Sequence, residues 1–126
     1  MDTKLKIRSK KYLKGAKDQS CVNCGVNDGT IVSAHYQGLR SHLYGKGTGT
    51  KPHDLLVADL CHKCHTIFDS QDLRLRHNTL HNRNWRKCEV SEEFLHCIAL
   101  TLIRRAQQGI IYTDDMRGTG EREDGN

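Results

Sequence analysis

Two CxxC pairs set the terms for any fold of this chain: Cys21 and Cys24 in "CVNCG", and Cys61 and Cys64 in "CHKCH". A CxxC can place two sulfurs on one side of a cation from a tight turn, and Gly25 after Cys24 suits such a turn. Brought together, the two pairs supply four thiolates, the tetrahedral set that a closed structural Zn²⁺ prefers. The gap between the pairs is longer than in a compact zinc ribbon, so the intervening chain must be looped out from one pinned base. Cys88 and Cys97 have no CxxC partner and read as an ordinary thiol and a core filler.

Other chemistries use parts of the same pattern. Cys61, Cys64 and His65 in "CHKCH" have the spacing of a covalent haem attachment site. Haem attachment normally takes place in exported proteins, and "MDTKLKIRSKKYLKGAKDQS" lacks the apolar region of an export signal. A haem reading also leaves Cys21 and Cys24 without a role. A thioredoxin-like site needs a parallel βαβ setting, which the chain does not offer. No stretch approaches the ~20 apolar residues of a membrane span, so the expected setting is cytoplasmic, where paired cysteines favour metal over disulfides.

At 126 residues, with 36% hydrophobic and 6% aromatic residues, the chain has room for one modest core and not for a large sheet-on-sheet one. Small size and polarity favour a stabilising metal or a second copy of the chain, which leaves a homodimer open. The net charge of +5 points weakly to an anionic partner, nucleic acid before membrane.

Along the chain, residues 1–20 carry seven basic residues from Lys4 to Lys17 against Asp2 and Asp18, and read as a basic arm. Residues 21–112 form the expected domain. Residues 113–126, Gly-rich and acidic, read as a disordered tail. Within the domain a strand is expected from about Thr30 to Tyr36, with Ile31, Ser33 and His35 on one face. A long polar loop follows, then a second short strand, "LLVADL", running into Cys61. Helical character is expected in "HTIFDSQDLRL". The last helix is expected over "SEEFLHCIALTLIRRAQQG", with Ser91 as its cap and an apolar face of Leu95, Ile98, Ala99, Leu102 and Ala106.

If the thiolates hold zinc, His65 is free for other work. Asp69 lies four residues further on, so on a helix the two share a face and can ligate one cation. An imidazole and a carboxylate with positions left for water and phosphate suit Mg²⁺ or Mn²⁺. A pair at this spacing is more commonly a plain surface ion pair. His35, at the end of the first strand, could be aimed at that helix and serve as general base toward water at neutral pH. Asp54 enters the second strand, where it either closes a turn, adds a ligand or orients His35.

Strand-His, loop, strand, "CxxCH" and helix resemble the HNH (His-Me finger, ββα-metal) nucleases in their zinc-bearing form. More closely, "AHYQGL", "GTGTKPHDLL" and "CHKCHTIFD" resemble the YbcO family of phage and prophage proteins, regarded as HNH-type nucleases. The resemblance spans roughly Cys21 to Gln71. It implies that His35 is the general base and that His65, with Asp69, ligates a catalytic metal. Two departures stand out: Ala34 occupies the place of a metal-binding Asp found in many relatives, and the middle Asn is missing at its usual offset from Cys61. Asp54 is the nearest substitute.

The expectation is therefore an α+β protein: a small zinc-stabilised ββα-metal (HNH-like) core with an additional C-terminal helix. Its expected function is a divalent-metal-dependent DNA endonuclease. Arg40, Lys46, Lys51 and the N-terminal lysines are candidate phosphate contacts. The resemblance implies a phage origin, a bacterial host cell and a setting in recombination or branched-DNA processing. The rival is a non-catalytic zinc module that binds DNA or a protein, which would give His35, His65 and Asp69 no joint task.

Overall fold

A computed structural model describes residues 7–46, 51–70 and 86–111. It is a small mixed α/β fold in the order α1 (Lys10–Lys14), β1 (Val32–His35), a 3₁₀ turn (Ser41–Tyr44), β2 (Val57–Leu60), α2 (His62–Ser70) and α3 (Lys87–Gln107). The strands pair antiparallel, with Val32 opposite Leu60 and His35 opposite Val57. Both expected strands are present, β1 shorter at each end and β2 shorter at its start. Of the expected "HTIFDSQDLRL" helix, the part from residue 71 onward lies outside the described residues, as does the tail 113–126. Among the described residues no helix is long and apolar enough to cross a membrane.

Side-chain alternation divides the hairpin into two faces. Ala34, Tyr36, Ala58 and Leu60 meet Phe68 of α2 and Phe94, Cys97 and Ile98 of α3 in the main core. Phe94 stands edge-on to Tyr36 at 5.4 Å and leans on Phe68 at 4.8 Å between ring centroids. In a chain poor in aromatics, these three rings form the centre of the packing. The opposite face carries Ser33, His35, Val57 and Asp59, and there Tyr12 of α1 packs on Val57.

That second contact corrects the reading of residues 1–20 as an arm outside the domain for the part from Ile7 onward; residues 1–6 lie outside the described residues. Ser9 caps α1 through its Oγ, which accepts from the Tyr12 N–H at 3.1 Å, and both residues are buried. Seven basic residues obscured one fully enclosed tyrosine, and a single ring is enough to seat a five-residue helix that would not persist alone.

α3 also differs from expectation. It starts at Lys87, with Arg86 as N-cap and Glu89 reaching back to the Arg86 N–H at 2.8 Å. Ser91 is therefore not the cap: it is buried inside the helix, bonded to the Tyr36 hydroxyl and accepting from the Leu39 N–H at 3.0 Å. The buried stripe is Val90, Ser91, Phe94, Cys97, Ile98, Thr101 and Arg105, whereas Ala99 and Ala106 are exposed. The stripe is helical in period, yet its C-terminal members are polar, so counting apolar residues rotated the predicted face.

Those polar members are paired. Arg105 and Asp59 are both fully enclosed, and the guanidinium meets both carboxylate oxygens, at 2.7 and 3.0 Å. Arg104 adds a third donor to Asp59 at 2.9 Å. Arg105 Nε donates to the Tyr12 carbonyl at 2.7 Å, and the guanidinium lies 5.1 Å from the Tyr12 ring centre. A Cβ at Gly15 would fall 2.5 Å from Arg105 Nε, so the end of α1 must be glycine for the arginine to pass.

The Tyr12 ring and hydroxyl make separable predictions. Among the described residues the buried hydroxyl has no hydrogen-bond partner, and burial pushes its pKa up to about 12. Tyr12→Phe should change stability by less than about 1 kcal/mol, because it removes no hydrogen bond. Tyr12→Ala should cost about 3–5 kcal/mol by opening a cavity. Denaturant unfolding of the two variants checks both, and an unchanged midpoint for Tyr12→Ala would remove α1 from the core.

Candidate metal centre and histidine pairs

The first knuckle is shaped by its own backbone. The Cys21 N–H donates to the Val26 carbonyl and the Gly25 N–H to the Cys21 carbonyl, each at 2.8 Å, with Gly25 at a φ of +86° that favours glycine. The Val22 N–H then donates to the Asp59 carbonyl at 2.9 Å, which fastens this knuckle to the end of β2. β2 runs directly into Cys61, so the second knuckle arrives at the same place. The result is that the ligand atoms of Cys21, Cys24, Cys61 and Cys64 lie within 4.8 Å of one another.

The surroundings suit charged sulfur. The N–H groups of Cys24 and Cys64 approach the sulfurs of Cys21 and Cys61 at 3.5 Å each, and Asn23 Nδ2 donates to Cys64 Sγ at 3.2 Å. Without a cation the four thiols cannot all ionise. A hydrogen bond from Cys64 holds the Cys21 pKa down to about 4, the same bond raises that of Cys64, and burial raises that of Cys24. Four soft donors converging in this way could hold a metal such as zinc, and a full set of protein ligands leaves no open coordination position. Cys88 is exposed, and Cys97 is buried in the main core.

His35 and Asp54 meet at the other end of the hairpin. His35 Nε2 lies 2.8 Å from Asp54 Oδ1, and the side chains are 10% and 7% exposed. Since a carboxylate only accepts, Nε2 carries the proton and Nδ1 is left as the acceptor. Asp54 is itself fixed by the N-terminal segment: its Oδ2 accepts the Ser9 N–H at 2.7 Å, and its Oδ1 lies 3.3 Å from an Arg8 Nη. Burial pushes the His35 pKa below its usual 6.5, against the pull of Asp54, and the charges of Lys51 and Arg8 act in the same direction as burial.

His65 and Asp69 form the i,i+4 contact on α2, Nε2 to Oδ2 at 3.1 Å, with side chains 35% and 48% exposed. Their hydrogen bond raises the His65 pKa. A hydrated divalent cation needs only one or two carboxylates from a protein, so this donor set fits such an ion in kind while offering a single carboxylate.

Among the described residues the two pairs do not gather into one ligand group. His35 lies on the hairpin face of Ser33 and Val57, whereas α2 seats Phe68 on the face of Ala34 and Tyr36. Among the described residues, the four cysteines are the sole group of three or more His, Cys, Asp or Glu within reach of one ion. The expectation that the hairpin aims His35 at α2 is thus corrected by the two-residue period of the strand.

His35 opens instead onto a groove of about 770 Å³ whose lining includes Lys14, Lys17 and Lys51. Lys51 is among the phosphate contacts expected from the sequence, and Lys14 and Lys17 belong to the predicted basic segment. Arg40 and Lys46 do not line this groove: Arg40 precedes the 3₁₀ turn and Lys46 follows it. Sequence reasoning missed Arg8, Ser9 and Asn23. Asn23, an amide inside "CVNC", is the one of the three that its position could have flagged.

The four-sulfur centre carries its own prediction. Protein purified without added zinc should contain about one equivalent, and chelation should unfold it, because binding and folding share one free energy. Cys64→Ser should lose the metal, whereas Cys88→Ser should keep it. Elemental analysis beside circular dichroism measures both, and a folded, metal-free wild type would contradict the assignment.

No curated protein and no solved structure matches the chain. A family model described as "Protein of unknown function (DUF968)" matches residues 3–82, a span that takes in α1, both strands, α2 and all four clustered cysteines. Well over half of the chain lies inside that match, and the protein belongs to the DUF968 family.

Proposed function

We propose that this protein is a DNA endonuclease of the HNH type, with the four cysteines holding a structural zinc and His35 as general base. The observation that carries the reading is the His35–Asp54 pair, 2.8 Å apart, on a lysine-lined groove. A hydrolytic base must be neutral at working pH and correctly oriented. Burial favours the neutral form of His35, and Asp54 fixes its tautomer so that Nδ1 takes the proton from water. The attacking oxygen then forms the new bond to phosphorus as the bond to the leaving oxygen breaks. Lysine ammonium groups offset the charge that develops on the phosphate.

His65 and Asp69 are the residues that would hold Mg²⁺ or Mn²⁺, which would supply positive charge to phosphate oxygens. Likeness to the YbcO proteins adds the setting: phage-encoded, in a bacterial cytoplasm, acting on recombining or branched DNA.

The separation of the two histidine pairs favours a second reading. With His35 and Asp54 outside any ligand group shared with His65 and Asp69, the protein could be a zinc module that binds DNA without cutting it. The readings part on one comparison, cleavage and binding by wild type and His35→Ala on linear, nicked, flapped and four-way DNA with Mg²⁺ and Mn²⁺.

For the enzyme, His35→Ala should retain metal content and DNA affinity and lose a factor on the order of 10²–10⁴ in cleavage rate. Below its folded pKa the imidazole is protonated and cannot act as base. The wild-type rate should therefore rise with pH through a value under 6.5 and level off by neutrality. His65→Ala and Asp69→Ala should lose cleavage in a way that extra metal partly restores, unlike His35→Ala. Equal cleavage by wild type and His35→Ala would dismiss His35 as the base, and binding with no cleavage by wild type would select the second reading.

A further inference from the structure

We infer that the groove beside His35 is a seat for the phosphate backbone of duplex DNA, held by charge and with no base stacked in it. This rests on the reading of the protein as one that acts on DNA, and it names which form of DNA the site accepts and which surface accepts it.

Three ammonium groups converge there from distant parts of the chain: Lys14 at the end of α1, Lys17 in the turn after it, and Lys51 in the approach to β2. All three are exposed, and among the described residues none is paired with a carboxylate. Arg104 and Arg105, by contrast, are both engaged internally, on Asp59. Asp18 is the one acidic residue of the lining, so the groove keeps an excess of positive charge. Lys51 is near enough to His35 to act on its titration, which ties the cationic rim to the imidazole.

The rest of the lining decides the form of nucleic acid. It contains Leu13, Ile31, Val32 and the amides of Gln19 and Asn27, and no Phe, Tyr or Trp; its one ring, the His35 imidazole, is bonded to Asp54 and only 10% exposed. Proteins that hold single strands without sequence preference stack the bases on aromatic side chains, each worth about 1–3 kcal/mol. A groove with lysines and no such platform offers little to unpaired bases and much to a backbone whose bases are already stacked in a duplex. Backbone contacts of this kind position the substrate and carry no sequence information.

The test is binding of a short labelled duplex, and of one of its strands, by fluorescence anisotropy across a salt series. Wild type should prefer the duplex, with affinity that falls steeply as salt rises. Lys14→Gln with Lys17→Gln should flatten the slope of log K against log salt by about 0.9 for each phosphate that no longer meets a lysine, hence about 1.8 for the pair. Lys63→Gln with Lys87→Gln removes the same charge from exposed positions on α2 and α3, and should leave the slope nearly unchanged. Circular dichroism and metal content confirm that each variant is folded.

Equal effects from the two double variants would overturn the groove in favour of diffuse attraction. Tighter binding of the single strand would overturn the duplex assignment, and absence of wild-type binding to either form would overturn the seat altogether. Cleavage is read separately: a groove that binds as described in a protein that never cuts DNA leaves this inference standing and removes only the nuclease.

Discussion

The fold depends on four sulfur atoms being held in one place. Its sheet is two strands of four residues each, a hairpin too small to be stable alone in water. Its strands are joined by a long connection and not by a tight turn, so nothing local sets their register. The knuckles do so instead. One is bonded through the Val22 N–H to the Asp59 carbonyl and the other continues β2, so a cation binding all four cysteines would clamp the sheet at its Val32–Leu60 end. The same clamp would fix the start of α2.

The opposite face of the hairpin is held by a different device. Asp59 and Arg105 join β2 to the end of α3, and Arg105 in turn gathers the end of α1 and Ser33 of β1. Taking both charges out of water is costly, and such a pair is weak evidence for added stability. Its evident effect is geometric: a planar guanidinium with donors at fixed angles allows α1 one position. From there the chain runs back through Ser9 and Arg8 to Asp54, and Asp54 holds His35. Residues read from the sequence as part of a basic arm thus orient the imidazole.

The parts legible in the sequence were those written in spacing. Two CxxC pairs, a strand running into the second of them, and the i,i+4 relation of His65 and Asp69 all depend on neighbours a few residues apart. The pairing of His35 with Asp54 was one of several roles open to that aspartate, and only the folded N-terminal segment decides between them. What the sequence concealed was set by long-range contacts. Ser91 looks like a helix cap until Tyr36 is known to lie beside it, and nothing in the chain around Arg105 announces the Asp59 beneath it. His35 seemed aimed at α2 because the motif order suggests it. The alternation of a strand sends it to the other face, and register is a property of the pair of strands and not of either one.

Membership in DUF968 places the knuckles, both strands and α2 within one shared family region, with α3 supplied from outside it. The central claim is that a single ion bound by all four cysteines organises this region. His65, next to Cys64, is the natural competitor for a place on that ion. X-ray absorption at the zinc edge of the purified protein tests the claim most directly. Four sulfur neighbours at about 2.3 Å and no lighter atom bound to the metal is the expected result. A nitrogen or oxygen scatterer at about 2.0–2.1 Å in place of one sulfur would contradict it, and would take His65 away from the role proposed for it.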